Sequence, residues 1–349
     1  VDDRFGRFRE IPLALGRLGH QVTGLCLSYK NKKEGWLQDE TVRWKSVNAG
    51  LFKIFGLARF IAEARKQVQK SDIIWACSDS HYGVIGCFLG RLYKRPVIFD
   101  IYDNFDKFLV AKLPVTRQLY HWAIRRCDAI TCLSKSFADY ILNKYAPHQK
   151  VFPIEFAVRM DLFKPLDKKR CREMLGLPLN AHIIGTAGAL FKVREVNLLI
   201  YAFEKLRKRN PNLHLALAGP RDIQIPRDTK IHDCGILPFD KVPIFINTLD
   251  VAVVCYANDD FGKYCFPQKT REFMACDVPL IASNVGSLKT ILKEHPKWLY
   301  EPGNSDALAV TLERRLTEKQ TEYDTPPSWL DLTKSLEKIM LNIKNVPFR

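Results

Sequence analysis

No run of apolar residues in this chain approaches the roughly 18–20 that a membrane-spanning helix needs, so a helical integral membrane protein is not expected. None of the ten cysteines has CxxC spacing and no histidine cluster accompanies them, so a zinc site is not expected. Cys26, Cys77, Cys132 and Cys255 sit inside apolar runs that read as buried strands, and a chain of this length has no need of a disulfide scaffold. That usage points to a reducing compartment. The pattern GxxxxGK[ST] is absent and no full GxGxxG is present, which weighs against a P-loop NTPase and against a dinucleotide-dependent oxidoreductase. There is no dense Arg/Lys block and no aromatic–basic interleave, so nucleic acid is not an expected partner. Short-period repeats and low-complexity tracts are missing too.

What is present is enough apolar material for two cores. The chain has 349 residues, 47% of them hydrophobic, and single cores stop growing at roughly 250–300 residues. The formal charge is +16, of which residues 1–150 carry +11. A basic N-terminal half suggests an acidic partner, such as anionic lipid headgroups or a phosphorylated acceptor. A solvated basic surface is the plain alternative.

Strands and helices alternate almost from the start. Helical spacing covers residues 7–18 and ends at Gly19-His20; strands follow at 21–27 and 42–47, then an amphipathic helix at 54–70. Strands at 72–77, 96–101 and 128–133 alternate with helices at 82–93 and about 116–126, and with one led by Ser134. This order predicts a parallel sheet covered by helices on both faces. A doubly wound domain normally opens on a strand, whereas this chain opens on a loop and helix, so we expect its true N-terminus to lie upstream. Residues 151–167 (VFPIEFAVRMDLFKPLD), bounded by prolines and without periodicity, mark the domain boundary. A second series follows, with strands at 182–188, 213–219, 231–237, 250–256 and 279–283 and a helix through 268–275. Ser328 after two prolines announces a last helix, with Asp331 three residues on. The expected domains are 1–155, 156–325 and a terminal helix in 326–349, with ligands outside the carboxyl ends of the strands.

Two stretches carry candidate chemistry. In GTAGALFKVRE (185–195) a glycine-bearing turn joins a strand to a helix, with Lys192 and Arg194 beside it. A helix N-terminus and two cations suit a diphosphate that gains charge as it leaves; a solvated βα turn is the bland reading. In YCFPQKTREFMACDVPLIAS (264–283), Pro267 fits the first turn of a helix that carries Lys269 and Glu272 on one face. Glu272 can accept two hydrogen bonds from a ribose diol and Lys269 can reach phosphate, or the two can be a surface ion pair. In the N-terminal half, Asp100 and Asp103 lie at the end of a strand, where Asp103 either meets substrate or caps a loop. His81 either lines the site or caps a helix.

The segment EFMACDVPLIAS resembles the donor-binding motif of family 4 glycosyltransferases, retaining enzymes of the GT-B fold, with Asp277 where glycine is usual. Other stretches resemble the family in order: Gly19-His20-Gln21-Val22, MDLFKP (160–165), REVNLLIYAF (194–203) against KGxxxLIxAF, and Leu215–Pro220. Further departures from its pattern fall at Tyr264, at Ala189 and over Phe156–Arg159. Tyr264 stands for the first glutamate, with Asp259 and Asp260 nearby. Ala189 stands for the arginine of the diphosphate pair, with Arg194 at the lysine position. Phe156–Arg159 replaces NGVD.

The resemblance implies two Rossmann-like domains facing an interdomain cleft, with the C-terminal helix packing back on the N-terminal lobe. It implies a hexosyltransferase-type enzyme that moves a sugar from a nucleoside diphosphate sugar to an acceptor hydroxyl with retention, without metal or other cofactor. Asp103, Arg194 and Glu272 are the expected catalytic residues. Gly6, Arg7, Gly188, Lys192, Arg194, Tyr264, Phe266, Pro267, Lys269 and Glu272 are the expected donor-binding residues, with backbone N–H groups of 264–267 on the sugar. The expected acceptor is a saccharide or lipid-linked saccharide of surface polysaccharide, lipopolysaccharide or glycolipid assembly. The expected location is cytoplasmic, peripheral on the inner face of the membrane. A nucleotide-sugar epimerase and a non-catalytic binding protein of the same fold are the alternatives.

Overall fold

The structure, a computed structural model, describes residues 6–29, 34–50, 53–105, 113–145, 147–148, 150–318 and 321–345. The chain forms two compact units, Val1–Glu155 with Trp329–Arg349, and Phe156–Ser328.

The first unit runs α1 (Arg7–Arg17), β1 (Val22–Ser28), β2 (Gly35–Asp39), β3 (Val42–Asn48), α2 (Lys53–Val68), β4 (Ile74–Ala76), α3 (Ser80–Tyr93), β5 (Val97–Ile101), α4 (Pro114–Arg126), β6 (Ala129–Cys132), α5 (Lys135–Tyr145) and β7 (Val151–Pro153). Hydrogen bonding sorts its strands into a parallel β4-β5-β6-β7 sheet and a three-stranded β1-β3-β2 sheet. β2 is antiparallel to β3. This corrects the expectation of one all-parallel sheet and adds a strand that the sequence did not announce. The hairpin turns on Glu40 and Thr41, with Glu40 at φ 49. It lacks the Asn-Gly or Asp-Gly pair that normally signals such a turn. Pro153 ends β7 at the sheet edge, where a missing N–H breaks no ladder.

The second unit runs α6 (Lys168–Leu175), β8 (His182–Ala187), α7 (Val196–Leu206), β9 (Leu213–Ala218), β10 (Ile231–Asp233), α8 (Val242–Ile246), β11 (Val251–Val254), α9 (Asp260–Tyr264), α10 (Gln268–Ala275), β12 (Leu280–Ser283), α11 (Gly286–Ile291), β13 (Leu299–Tyr300) and α12 (Ser305–Thr317). Its six strands lie in the order β10-β9-β8-β11-β12-β13, and every pairing is parallel. Every residue of β11 and β12 is buried, which is why these strands read as unbroken apolar runs rather than alternating ones. Burying each Val, Leu or Ile there contributes about 1.5–3 kcal/mol before the entropy of ordering it is charged. Arg172 on α6 is 3% exposed. It donates to the Thr248, Leu179 and Ala181 carbonyls and to Asp250, tying the helix to the sheet.

The chain leaves β8 outward to β9 and β10, then returns to β11 on the other side of β8. The carboxyl ends of β8 and β11 therefore flank a topological switch point, where α/β sheets bind ligands.

The last helix, α13 (Trp329–Lys344), starts directly after Ser328 and belongs to the first unit. Glu337 on it meets His20 at 2.6 Å and Lys344 meets Asp72 at 2.9 Å. The terminal helix thus packs on the N-terminal half, as the resemblance implied.

Candidate functional site

At the switch point of the second unit, β8 is followed by Gly188, held at φ 121. That backbone geometry needs glycine, and the close packing of the next turn needs it at Gly219. A Cβ on Gly188 would meet Lys269 Cε at 3.4 Å, and a Cβ on Gly219 would strike the Gly188 carbonyl oxygen. Two glycine turns, after β8 and β9, thus pack backbone to backbone, with the stem of Lys269 lying across one of them. The Gly188 N–H donates to Ala218 and that of Leu190 to Pro220, which fixes the turn.

Lys269 ends on Glu272. Its Nζ donates to Oε2 at 2.5 Å, while Gln268 Nε2 donates to Oε1 at 2.9 Å. The Glu272 side chain is 1% exposed and that of Lys269 25%. A surface ion pair is thereby excluded, because a carboxylate this deep must be paired to stay charged. Each carboxylate oxygen takes one donor here and can take another, so a vicinal diol has acceptors to meet. Pro267 occupies the N-cap of α10 rather than its first turn and provides no capping side-chain oxygen to the first-turn amides.

Arg194 closes the 3₁₀ turn Lys192–Arg194 and is half-buried. Its guanidinium donates to Tyr256 Oη at 2.8 Å. It also lies 5.2 Å from the Tyr256 ring centroid and 5.4 Å from that of Phe261. Two aromatic faces and a phenol hold this cation in one pose. Tyr256 is held in turn, its N–H donating to Ser283 Oγ at 3.0 Å. Tyr256 and Ser283, at the ends of β11 and β12, were missed from sequence; the signal was the aromatic ending of the run DVAVVCY. Lys192 is exposed, and its N–H donates to Asp222 at 2.8 Å.

Several expected site residues are placed differently. Phe266 is 5% exposed and packs 6.1 Å from Phe156 and beneath Arg271, so its ring belongs to the core. Pro267 has no N–H to give a sugar, and the Cys265 N–H is spent on the Phe261 carbonyl. Tyr264 ends α9, half-buried. Asp259, a candidate for the absent glutamate, caps α9 by accepting from Gly262 at 2.9 Å.

In the first unit, residues 2–5 of the expected phosphate-binding loop lie outside the described residues. Gly6, at φ 83, begins α1. Arg7 is not a surface cation: it is 1% exposed, bonded to the Ile154 carbonyl at 2.6 Å and to Asp100 at 2.8 Å. Asp100 is fully buried and also accepts from Thr131 at 2.6 Å. Arg7 therefore anchors α1 to β5 and β7, correcting its expected role on the donor. Asp103 is half-buried and caps its own turn, accepting the Asn104 N–H at 2.7 Å. Burial pushes its carboxyl above the usual carboxylate range, against the pull of that N–H. His81 pairs with Tyr29 at 3.0 Å, and burial holds its imidazole below the ordinary value.

Two Rossmann-like units, with the candidate donor-site residues at the switch point of the second, place this chain in the GT-B class. Residues 7–156 match the family described as "Glycosyl transferase 4-like domain" and residues 181–318 that described as "Glycosyl transferases group 1". The chain belongs to this family 4, group 1 lineage of glycosyltransferases. A D-inositol 3-phosphate glycosyltransferase of Stackebrandtia nassauensis is 26% identical over 202 residues, which cover 52% of this chain and 44% of that protein. The chain spans about half the length of the curated relatives it matches, from 44% to 55% for the first three. Sucrose-phosphate synthase from Thermosynechococcus elongatus superposes with a TM-score of 0.74 at 18% identity, covering 96% of this chain and 90% of that one. Anabaena HepE, in complex with UDP-glucose, superposes with a TM-score of 0.64 at 16% identity, covering 93% and 97%. Among the described residues, no helix is long and apolar enough to cross a membrane.

Proposed function

We propose that the protein transfers a hexose from a nucleoside diphosphate sugar to an acceptor hydroxyl with retention of configuration. The observation that carries this reading is Glu272, buried at 1% exposure, with Lys269 running from it across Gly188. In this reading Glu272 accepts from the ribose hydroxyls. Lys269, Arg194 and Lys192 neutralise the leaving diphosphate, so no metal ion is required. Preorganised charge aimed at a leaving group is worth most where water is excluded. No nucleophile is assigned: the departing diphosphate takes the acceptor proton on the same face, and the protein contributes position and field. The acceptor is a saccharide or lipid-linked saccharide of surface polysaccharide, lipopolysaccharide or glycolipid assembly. The basic first unit, with +11 over residues 1–150, supports a place on the anionic inner face of the membrane.

The deciding experiment is a thermal-shift panel of UDP-, GDP-, ADP- and dTDP-sugars. A true donor at a hundred times its Kd stabilises the fold by about 2.7 kcal/mol. A panel in which no nucleotide sugar raises the midpoint overturns the proposal. Donor converted to an epimer without acceptor would replace transfer by epimerisation. Vesicle binding that does not weaken with salt would sink the electrostatic part.

A further inference from the structure

The backs of α3 and α4 carry apolar side chains that the core of the first unit does not take. On α3, Phe88 and Leu92 stand one turn apart, 59% and 56% exposed; on α4, Val115 and Leu119 do the same, 67% and 44% exposed. The helices touch beside these pairs. Cys87, the residue before Phe88, donates its thiol to the Ala123 carbonyl at 3.5 Å. Leu119 lies one turn before Ala123, so it stands on the side of α4 that meets α3.

The charge on these helices is of one sign. They are 14 and 13 residues long and hold four arginines and no acidic residue. All four, Arg91, Arg117, Arg125 and Arg126, are exposed. Arg91 adjoins Leu92, and Arg126 stands two turns beyond Leu119, so cations flank the apolar residues. A solvated helix back is normally polar. Apolar residues rimmed by charge mark a surface that is covered by something else. That occupant must be anionic and must accept apolar side chains from two convex helix backs. A second copy would set arginines against arginines on a chain of net charge +16, so it does not fit. A bilayer interface fits without needing a matching concavity, because its phosphates take the guanidiniums and its acyl boundary takes the side chains.

We propose that the backs of α3 and α4 are the surface by which this protein docks on an anionic lipid bilayer, with Phe88, Leu92, Val115 and Leu119 entering the interface and the arginines on headgroup phosphates. This rests on the membrane placement drawn above from net charge, and gives it a surface and an apolar component. The test is co-sedimentation of the full chain with vesicles of phosphatidylcholine alone and of equal parts phosphatidylcholine and phosphatidylglycerol. The wild type should bind the anionic vesicles, and salt should weaken that binding without abolishing it. The double variant Phe88→Ser, Leu119→Ser should bind them at least tenfold more weakly, with its unfolding midpoint kept because both side chains are exposed. Arg91→Gln with Arg126→Gln should also lose about tenfold, on the anionic vesicles only. Phe88→Trp localises the contact even if the serine variant does not fold: its added emission should be quenched by phosphatidylcholine brominated in the acyl chains. No binding to anionic vesicles, full binding by the folded serine variant, or unquenched emission overturns the surface. Self-association of the wild type that competes with vesicle binding would assign the face to a second copy and overturns it too. A UDP-sugar thermal shift on the same samples keeps this apart from the transfer reading. Donor stabilisation without vesicle binding refutes the docking surface alone. Vesicle binding through Phe88 without any donor shift supports the surface and refutes transfer.

Discussion

Asp277 allows a stability prediction with a worked magnitude. It follows α10, at the position after the C-cap Cys276, with φ 54. Its N–H bonds the Met274 carbonyl and that of Val278 bonds Phe273, the double closure of a Schellman turn. Glycine is the residue this position favours, since a Cβ in the left-handed region costs about 1–2 kcal/mol, with Asp near the lower end. Asp277 is exposed, so Asp277→Gly relieves the strain and gives back only about 0.5 kcal/mol through a freer unfolded chain. The net gain is about 0.5–1 kcal/mol, or roughly 1–4 °C in the midpoint of a unit of this size. Glu195 is the matched control. It too is left-handed, at φ 51, but its Oε2 accepts the Gly303 N–H at 3.2 Å. Glu195→Gly should therefore change little, because losing a hydrogen bond of about 1 kcal/mol offsets the relief. Calorimetry of both variants and of Asp277→Ala, which keeps the Cβ and should be no more stable than wild type, decides the matter. An unchanged or lowered midpoint for Asp277→Gly refutes the strain argument. Equal gains at both sites would mean that the Glu195–Gly303 bond contributes nothing.

Glu272→Gln keeps the shape but loses the charge. Donor affinity should fall by about 2 kcal/mol, roughly thirtyfold, in a calorimetric titration, and a change under twofold would count against ribose binding. Arg194→Ala should lower kcat about a hundredfold, whereas Tyr256→Phe, which keeps the ring face and loses only the phenol, should stay within fivefold; steady-state kinetics on both variants tests the cradle. His214 and His232 meet at 2.8 Å across β9 and β10, and burial holds both imidazoles below their ordinary value. The unfolded chain therefore takes protons first, so this contribution is complete above about pH 6.5 and lost as pH falls. Urea midpoints should drop from pH 7 to 5, and His232→Asn should flatten the drop; an identical slope in the variant would show that the pair does not set it.

The parts of this fold that were legible in sequence are those whose signal is local. The buried parallel strands of the second unit are continuous apolar runs, and β8, β9, β11 and β12 fall where such runs stand. The hairpin of β2 and β3 was not legible, because its turn uses Glu40 and Thr41 instead of glycine, and β2 is largely exposed. In the site, Lys269 and Glu272 share a helix face by spacing alone, so their pairing could be read from the sequence. Their burial could not, since it depends on Gly188, some eighty residues earlier in the chain. The same holds for Arg194, whose partner Tyr256 lies 62 residues away, and for Arg7, whose partner Asp100 lies 93 away. From the sequence both were expected to meet the donor; in the fold one is cradled by aromatic rings and the other is paired with a buried aspartate. Motif departures are harder still to weigh from sequence. Glu195 and Asp277 both stand where the family pattern has glycine, and both keep the left-handed backbone that glycine would adopt. The local backbone geometry at both positions has thus outlasted the residue type that normally permits it. At these two positions a departure from the motif measures strain that the surrounding fold absorbs, not a change of backbone path.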